Sequence, residues 1–385
     1  MRYKVSDIAD IINVSIKSPS NCGINIFVGL EHYDVGEPVI TRYGSTDMLT
    51  TAVKKFNSGD ILLARRNVYL RRAGKVDFDG VTSGDSIVIR VKSDLSKMED
   101  CDSIVMKSLL PFILNTNIFW DYANTNSDGT MSKRLSPQML LDYEFDLPPL
   151  EEQKVLTDKL WAAYRLKESY KKLLAATEEM VKSQFIEMFG TPENNHNDYP
   201  VIKIGEMVES INYGTSKPAT DNGKYVYLRM NNITYDGKLD LSEVKRINLS
   251  PEENDGAFVH KGDLMFNRTN TKEFVGKTTV FNLDEQMVVA GYIIRVRFKE
   301  MYSPEYVSGY LNSTYGKALL RKMAKGAVHQ ANINAQEFQG IQVLDVPKQE
   351  QDKYVTIAKQ ADKSGFELRK SIDAIDAVIK SLINS

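Results

Sequence analysis

The 385-residue sequence predicts an α+β protein in which two α/β modules are separated by two long helices that form an antiparallel coiled coil. An internal repeat carries this prediction: Pro149 and Gln153 in LPPLEEQK return 198 residues later as Pro347 and Gln351 in DVPKQEQD. Repeats set architecture, so a pseudo-two-fold arrangement is expected. Each copy opens a stretch rich in helix formers, and each follows a strand-and-turn segment. We expect four segments, 1–146, 147–190, 191–345 and 346–385.

The first module, residues 1–146, alternates short β-rich runs with Gly, Asp and Asn turns. INIFVGL, DILLA and SIVIRV are apolar, β-branched and bounded by turn formers, which is typical of strands. VMKSLLPFILN has the composition of a helix that Pro111 interrupts. We therefore expect mixed strands and helices before the first copy of the repeat.

The stretch from Leu150 to Phe189 lacks Pro and Gly and predicts a helix roughly 55–60 Å long, at 1.5 Å per residue. Gly190, Thr191 and Pro192 then end it, as Gly followed by Pro does. Apolar residues at spacings of 3, 4 or 7 predict a coiled-coil seam. These helix-pairing residues are Leu156, Leu160, Ala163, Tyr170, Leu174 and Val181 in the first copy, and Tyr354, Ala358, Ala361, Leu368, Ile372, Ile375 and Ile379 in the second.

The second module, residues 191–345, resembles the first only in a few short segments, which we call anchors. Gly59-Asp60-Ile61-Leu62 resembles Gly262-Asp263-Leu264-Met265, and Ile89-Arg90-Val91 resembles Ile294-Arg295-Val296. The scaffold repeats while the residues between anchors differ. This pattern indicates two modules of one fold that recognise different targets.

The two helices allow alternative packings. They could pair along the seam, or each could pack on its own module. Apolar residues outside the seam could dock a partner or be buried against the modules; those in the first helix are Trp161, Val155, Phe185, Ile186 and Phe189.

Composition excludes several classes of protein. The net charge of −2 argues against a strongly basic, autonomous nucleic-acid binder but leaves room for local basic patches. Cys22 and Cys101 have no spacing suited to a metal site or a disulfide framework, which favours a reducing cytoplasm. The N-terminus lacks a signal-peptide pattern, and no apolar run approaches the roughly 20 residues of a membrane span.

Catalytic motifs are missing from the sequence. The four histidines are scattered away from ligand spacing, and neither G-x-S-x-G nor H-E-x-x-H occurs, so neither a metal nor a catalytic residue is assigned. Gly276-Lys277-Thr278 imitates the end of a phosphate loop, but Thr271 stands where that motif needs Gly, so a strand-edge turn is expected. The amino-methyltransferase pattern is also absent around Pro148 and Pro149. We predict a chain that is not an enzyme by itself.

Basic and amide side chains follow equivalent strands in both modules. Arg65-Arg66-Asn67 and Arg268-Thr269-Asn270 share Arg-x-Asn, and both side chains can bond base edges bidentately. An acid-free stretch from Tyr306 to Gln336 could neutralise phosphates. Alternatively, each patch is a solvated surface and the shared asparagine closes a turn. The DNA-binding candidates are Arg65, Arg66, Asn67, Arg71, Arg72, Lys133, Tyr213, Thr215, Arg268, Asn270, Lys272, His329 and Gln330.

The order of these segments resembles the specificity subunit of type I restriction–modification systems. The resemblance rests on LPPLEEQK with MVKSQFIEMFG, on YVYLRMNNI with YDGKLDL, on GDLMFNRTNTKEFVGKT and on VPKQEQ, and it covers the whole chain. In that family, two target-recognition domains each read half of a bipartite DNA site. The coiled coil fixes the number of unread base pairs between the halves.

The resemblance also implies partners. Two methyltransferase subunits would bring S-adenosylmethionine and methylate adenine, and motor-nuclease subunits would bring ATP and Mg, while this chain would bind double-stranded DNA and no cofactor. Two alternatives stay open: a coiled-coil scaffold that does not read DNA, and a specificity module of a related defence system.

Overall fold

The computed structural model of the chain describes residues 2–17, 19, 23–129, 132–327 and 330–384. It divides into two compact units, Met1–Tyr170 with Lys370–Ser385, and Lys171–Arg369. The predicted fold class is confirmed, since mixed sheets and helices accompany two long helices that pack together. The mid-chain helix, Leu150–Phe189, and the C-terminal helix, Lys348–Asn384, each contribute to both units.

Unit 1, the first of these units, is built on two main antiparallel-rich sheets. The strand order in one is Ala9–Ile12, Ser86–Val91, Ile61–Ala64 and Ala73–Lys75, and all of its neighbours are antiparallel. The other has the order Ser15–Ile16, Val53–Phe56, Gly80–Thr82, Ile26–Val28 and Gly44–Ser45, with one parallel pair between Gly80–Thr82 and Ile26–Val28. Arg2–Lys4 pairs separately with Glu144–Asp146.

The helices of unit 1 share an apolar core with the four-stranded antiparallel sheet. Their bounds are Val5–Ile8, Ser103–Ile113, Asn117–Thr125 and Pro137–Leu141, with 3₁₀ turns at Leu30–His32 and Val68–Leu70. Trp120 and Phe119 are fully buried, with ring centroids 4.9 Å apart. Leu160 of the mid-chain helix and Ile379 of the C-terminal helix belong to the same core. The helix pair is therefore part of the core of unit 1.

Unit 2 repeats this arrangement. Its antiparallel sheet has the order Val208–Tyr213, Ile293–Phe298, Leu264–Asn267 and Thr278–Val280. A mixed sheet has the order Lys245–Ile247, Tyr225–Leu228, Met287–Val289 and Phe258–Val259, again with one parallel pair. Val201–Lys203 pairs with Gln342–Leu344, and a small sheet joins Thr269–Asn270, Gln330–Asn332 and Lys325–Ala327.

The helices of unit 2 enclose an aromatic core. They span Ile204–Met207, Pro251–Asn254, Pro304–Asn312, Thr314–Met323 and Ala335–Gln339, with 3₁₀ turns at Met230–Asn232 and Asp255–Ala257. Phe185 of the mid-chain helix lies 5.1 Å, centroid to centroid, from Tyr354 of the C-terminal helix and 5.3 Å from Tyr306. Phe189 is buried against the same tyrosines.

The anchors of the sequence repeat have the same conformation in both units. Gly59 and Gly262 adopt φ values of +90° and +91°, a region that favours glycine. Asp60, which follows Gly59, accepts two hydrogen bonds of 2.7 Å from Arg90, and Asp263 accepts bonds of 2.9 and 3.2 Å from Arg297. The similarity of IRV segments had aligned Arg90 with Arg295. That alignment is wrong by two residues, a shift that leaves a strand side chain on the same face.

Each long helix begins with a buried glutamine from the repeated motif. Gln153 donates to the carbonyls of Pro148 and Asp100, at 2.8 and 2.7 Å. Gln351 donates to the carbonyl of Val346 at 2.7 Å and accepts from the Ser303 amide at 2.8 Å. The motif is repeated because an amide side chain at this position ties the helix start to the backbone that precedes it.

The helix pairing is antiparallel, because the beginning of the mid-chain helix packs with the end of the C-terminal helix in unit 1, and the reverse holds in unit 2. In unit 1, the buried Lys167 Nζ lies 2.5 Å from Asp376 and 2.7 Å from Glu37. In unit 2, Arg369 pairs with Glu178 at 3.2 Å. The predicted seam residues, thirteen in all, are buried or partly buried.

The apolar residues outside the seam are mostly covered by the modules. Phe185 and Phe189 are fully buried, and Trp161 packs on Phe112 and donates to the Ser108 carbonyl at 3.0 Å. Val155 is exposed. Pairing along the seam and packing on the modules, which the sequence left as alternatives, therefore both occur.

Candidate nucleic-acid interface

The Arg65–Asn67 loop of unit 1 follows strand Ile61–Ala64 and is held by backbone hydrogen bonds at both edges. The Arg65 amide donates to the Asp85 carbonyl, and the Leu135 amide donates to the Arg65 carbonyl, both at 2.9 Å. The Asn67 amide donates to the Lys133 carbonyl at 2.8 Å. Asn67 adopts φ +55°, which asparagine tolerates better than most residues. The shared asparagine therefore shapes the turn in this loop.

Cationic side chains converge on this loop from two parts of the chain. Arg66 Nη1 lies 3.5 Å from Asp85, and Arg134 Nη2 lies 3.4 Å from the same carboxylate. Arg66 also donates to Ser132 Oγ at 3.0 Å. Lys133 is exposed, and its Nζ donates to the Asn124 carbonyl at 3.0 Å. Two arginines on one carboxylate leave a local excess of positive charge at the surface.

The next two candidates have different environments. Arg71, which is partly exposed, donates to Asn117 Oδ1 at 2.7 Å. Arg72 donates to the carbonyls of Leu30 and Arg66, at 2.9 and 3.1 Å, and burial lowers the pKa of its guanidinium. The Arg72 side chain therefore braces the backbone, whereas Arg66 and Arg71 present part of their guanidinium groups to solvent.

The Arg268–Asn270 loop of unit 2 occupies the equivalent position after strand Leu264–Asn267. The Arg268 amide donates to the Tyr292 carbonyl, and the Ile333 amide donates to the Arg268 carbonyl, both at 2.9 Å. This is the hydrogen-bonding pattern of Arg65. The Arg268 guanidinium lies over the Tyr213 ring, 4.9 Å from its centroid. Arginine stacked on an aromatic ring is held in a defined orientation.

The other unit 2 candidates are placed around this loop. The Tyr213 hydroxyl accepts from the Ala335 amide at 3.0 Å, and Asn270 Oδ1 accepts from the Thr271 amide at 2.8 Å. Thr215 is buried, and its Oγ1 accepts from the Lys217 amide at 3.2 Å, which suits a turn. Lys272 is exposed. Gln330 begins strand Gln330–Asn332, and His329 lies outside the described residues.

Sequence reasoning missed Arg134 and the exposed aromatic residues Tyr69 and Tyr292. Tyr292 directly precedes strand Ile293–Phe298, and its carbonyl accepts from the Arg268 amide. Arg134 neighbours the candidate Lys133, but its contact with Asp85 depends on pairing between segments about 50 residues apart in the sequence. A local pattern carries no signal for such a contact.

In both units, a cationic side chain just before the strand beside the loop donates a hydrogen bond to a backbone carbonyl of a 3₁₀ turn. Lys277 Nζ donates to the Met230 carbonyl at 2.6 Å, as Arg72 does to Leu30. Both acceptors are the first residue of a 3₁₀ turn. Burial lowers the pKa of Lys277. The turn expected at Gly276 is present, with φ +81° two residues before strand Thr278–Val280 begins.

Among the residues that the structure describes, no group of three or more His, Cys, Asp or Glu is arranged to hold a metal ion. Over the same residues, no helix is long and apolar enough to cross a membrane.

Comparison with family models gives a match in the second half of the chain. Residues 196–375 match the family model described as the type I restriction modification DNA specificity domain. This segment, slightly less than half of the chain, is similar to that domain. The whole chain resembles the specificity subunits of type I restriction–modification systems.

Two curated relatives extend the similarity. The specificity subunit of the type I restriction enzyme EcoKI from Escherichia coli K12 is 18% identical over 362 residues, which cover 86% of this chain and 78% of that protein. The putative type I restriction enzyme MjaX specificity subunit of Methanocaldococcus jannaschii is 23% identical over 191 residues, which cover 48% of this chain and 44% of that protein.

Two solved structures share the fold. One comes from work on complex assembly and conformational transition of the type I R-M system, with a TM-score of 0.56 and 16% identity over 100% of this chain and 96% of that chain. The other is the type I restriction–modification system S subunit from M. genitalium, with a TM-score of 0.54 and 11% identity over 100% and 94%. At these identities, the likeness concerns the fold alone.

Proposed function

We propose that this chain is the DNA-recognition subunit of a type I restriction–modification complex and that each of its units reads one half of a bipartite site. The observation that carries the proposal is the equivalence of Arg65 and Arg268. Each follows the same strand of a repeated sheet and has the same two backbone hydrogen bonds. The side chains around these two arginines differ, as we expect of two units that read different half-site sequences.

The chain would be non-catalytic and would direct its partners. Two methyltransferase subunits would carry S-adenosylmethionine and methylate adenine, and motor-nuclease subunits would use ATP and Mg to translocate and cleave DNA. Similarity to type I specificity subunits supports this assignment. The location would be the cytoplasm of a bacterium or archaeon.

Arginine substitutions in each loop test the proposal in the assembled complex. Arg268→Ala should weaken recognition of one half-site, and Arg65→Ala should weaken recognition of the other, because each good bidentate contact contributes about 1–3 kcal/mol of discrimination. Methylated adenines would be mapped in a host genome that carries each variant. Arg2→Ala, which removes an exposed arginine paired with Glu144, is the matched control.

The scaffold alternative makes the opposite prediction. If the chain only joins other proteins, the double variant Arg65→Ala with Arg268→Ala leaves the DNA affinity and the methylation pattern of the complex unchanged. Specific methylation or cleavage by the purified chain alone would also contradict the proposal.

A further inference from the structure

Lys317 is a buried cation in unit 2 that lies outside the Arg65–Asn67 and Arg268–Asn270 loops, which we call the readout loops. It belongs to helix Thr314–Met323, which Ser313 caps by accepting from the Gly316 amide at 3.0 Å. Its Nζ is buried and has no hydrogen-bond acceptor among the described residues. The ammonium group lies 4.8 Å from the centroid of the Tyr235 ring. Burying an ammonium group without a hydrogen-bond acceptor costs free energy of folding, so we expect a bound group that accepts a hydrogen bond from it.

The charges around Lys317 favour an anion. Lys182, Lys277 and Arg321 lower the pKa of Lys317, whereas Asp236 raises it; burial is the largest cause, and the result is about 8. Arg321 Nη2 donates to the Tyr235 hydroxyl at 2.8 Å. Lys182 has a weak ion pair with the exposed Glu179, at 3.8 Å. Positive charge therefore exceeds negative charge around this buried amine.

The internal repeat shows that the fold does not require a lysine here. Helix Asn117–Thr125 is the counterpart of helix Thr314–Met323, and its N-cap Thr116 corresponds to Ser313. Counted from the cap, Lys317 corresponds to Trp120, which is fully buried in the core of unit 1. One copy of the fold fills this position with an apolar ring and the other with a charge.

We propose that Lys317, Arg321 and the Tyr235 hydroxyl form a binding site for a phosphate group. Lys317 and Arg321 would supply charge-assisted hydrogen bonds. The Tyr235 hydroxyl accepts from Arg321, so its own hydrogen is available to a phosphate oxygen. The group would be a backbone phosphate of DNA or a free phosphate anion, and both have the chemistry that this cluster recognises.

The first test uses inorganic phosphate and the full-length chain. Phosphate should raise the melting temperature of the wild type in a concentration-dependent manner, whereas chloride at equal ionic strength should not. Lys317→Met should weaken phosphate binding roughly tenfold or more, since a hydrogen bond to a charged group contributes about 1.5–3 kcal/mol. Tyr235→Phe, which removes only a hydroxyl, should weaken it less and covers the case in which Lys317→Met fails to fold.

Lys261→Met is the matched control, because Lys261 is exposed and paired with Asp284. It should keep the phosphate response of the wild type. Equal stabilisation of wild type and Lys317→Met by phosphate, or equal effects of phosphate and chloride on the wild type, would overturn the site.

The second test identifies the source of the phosphate and uses the assembled complex with DNA. If Lys317 binds the DNA backbone, Lys317→Met reduces the salt dependence of DNA affinity by about one unit of slope at all sequences. If the site takes a free anion, DNA affinity is unchanged while phosphate binding is lost. The site does not use Arg268, so Arg268→Ala should keep the phosphate response even if the proposed readout fails.

Discussion

At the scale of single residues, the two units form equivalent hydrogen bonds at their 3₁₀ turns with different side chains. The Gly29 amide donates to His32 Nδ1, and the Arg229 amide donates to Asn232 Oδ1, both at 2.9 Å at the start of equivalent 3₁₀ turns. Arg72 and Lys277 likewise hold the carbonyls of equivalent turns. Geometry is retained although the chemical identity of the donor or acceptor changes.

The buried Lys317 should make the stability of the fold increase with pH in the alkaline range. Its pKa is about 8 in the folded chain, against an ordinary value of 10.5. Between these two values, the unfolded chain binds a proton that the folded chain does not, so the contribution of Lys317 to stability increases as pH rises from about 8 to 10.5. Below pH 8, the charged amine destabilises the fold by a constant amount, on the order of 3 kcal/mol.

Lys317→Met should therefore raise the melting temperature at pH 7 in phosphate-free buffer, and the gain should shrink toward pH 10. Differential scanning calorimetry at several pH values measures both quantities. The groups that face Lys317 and could add their own titration are Lys182, Asp236, Lys277 and Arg321. A variant that is less stable at pH 7, or a difference independent of pH, would contradict the buried charge.

At the scale of elements, the buried glutamines predict unequal costs for the same substitution. Gln351→Leu leaves the Val346 carbonyl and the Ser303 amide without partners, whereas Gln153→Leu leaves two carbonyls and removes an Oε1 that has no partner among the described residues. Each unsatisfied buried group costs about 1–3 kcal/mol. We expect both variants to melt lower and Gln351→Leu to lose more.

Glu152→Gln provides the control for these helix starts, because its side chain is exposed and adjacent to Gln153. It should change the melting temperature little. Equal losses from the three substitutions would contradict a specific role of the buried amide in the stability of the helix start.

The long elements are predictable from sequence because their signals are local. The mid-chain helix ends at Phe189, before Gly190 with φ +76°, and strand Ser86–Val91 coincides with SIVIRV. The readout loops are less predictable because long-range bonds to Leu135 and Ile333 define them. The sequence also could not identify which arginine of unit 2 is equivalent to Arg90. Side chains in a strand alternate with a period of two, so Arg295 and Arg297 lie on the same face. Basic patches can be recognised in the sequence. The sequence does not distinguish Arg72, which donates to backbone carbonyls, from its partly exposed neighbour Arg71.

At the scale of the whole molecule, the repeat holds the sheets and helices constant while the loops differ. The four-stranded antiparallel sheet has the same strand order in both units, and the same Gly-Asp anchor precedes the strand that leads into the Arg65–Asn67 or Arg268–Asn270 loop. The helices pair within each unit and run through both. If the units read separate half-sites, we expect the length of these helices to set the number of unread base pairs between the half-sites.

Shortening both helices tests this spacer role. Removing 168–174 and 369–375 deletes one heptad from each helix, preserves the seam register, and spares Lys167 and Asp376. Seven residues span about 10 Å, or about three base pairs of DNA. Methylation mapping of the assembled complex should show a site whose spacer is shorter by about that amount and whose half-sites are those of the wild type. Altered half-site sequences with an unchanged spacer would show that the helices do not measure the distance, since the loops that would read bases remain intact in this variant.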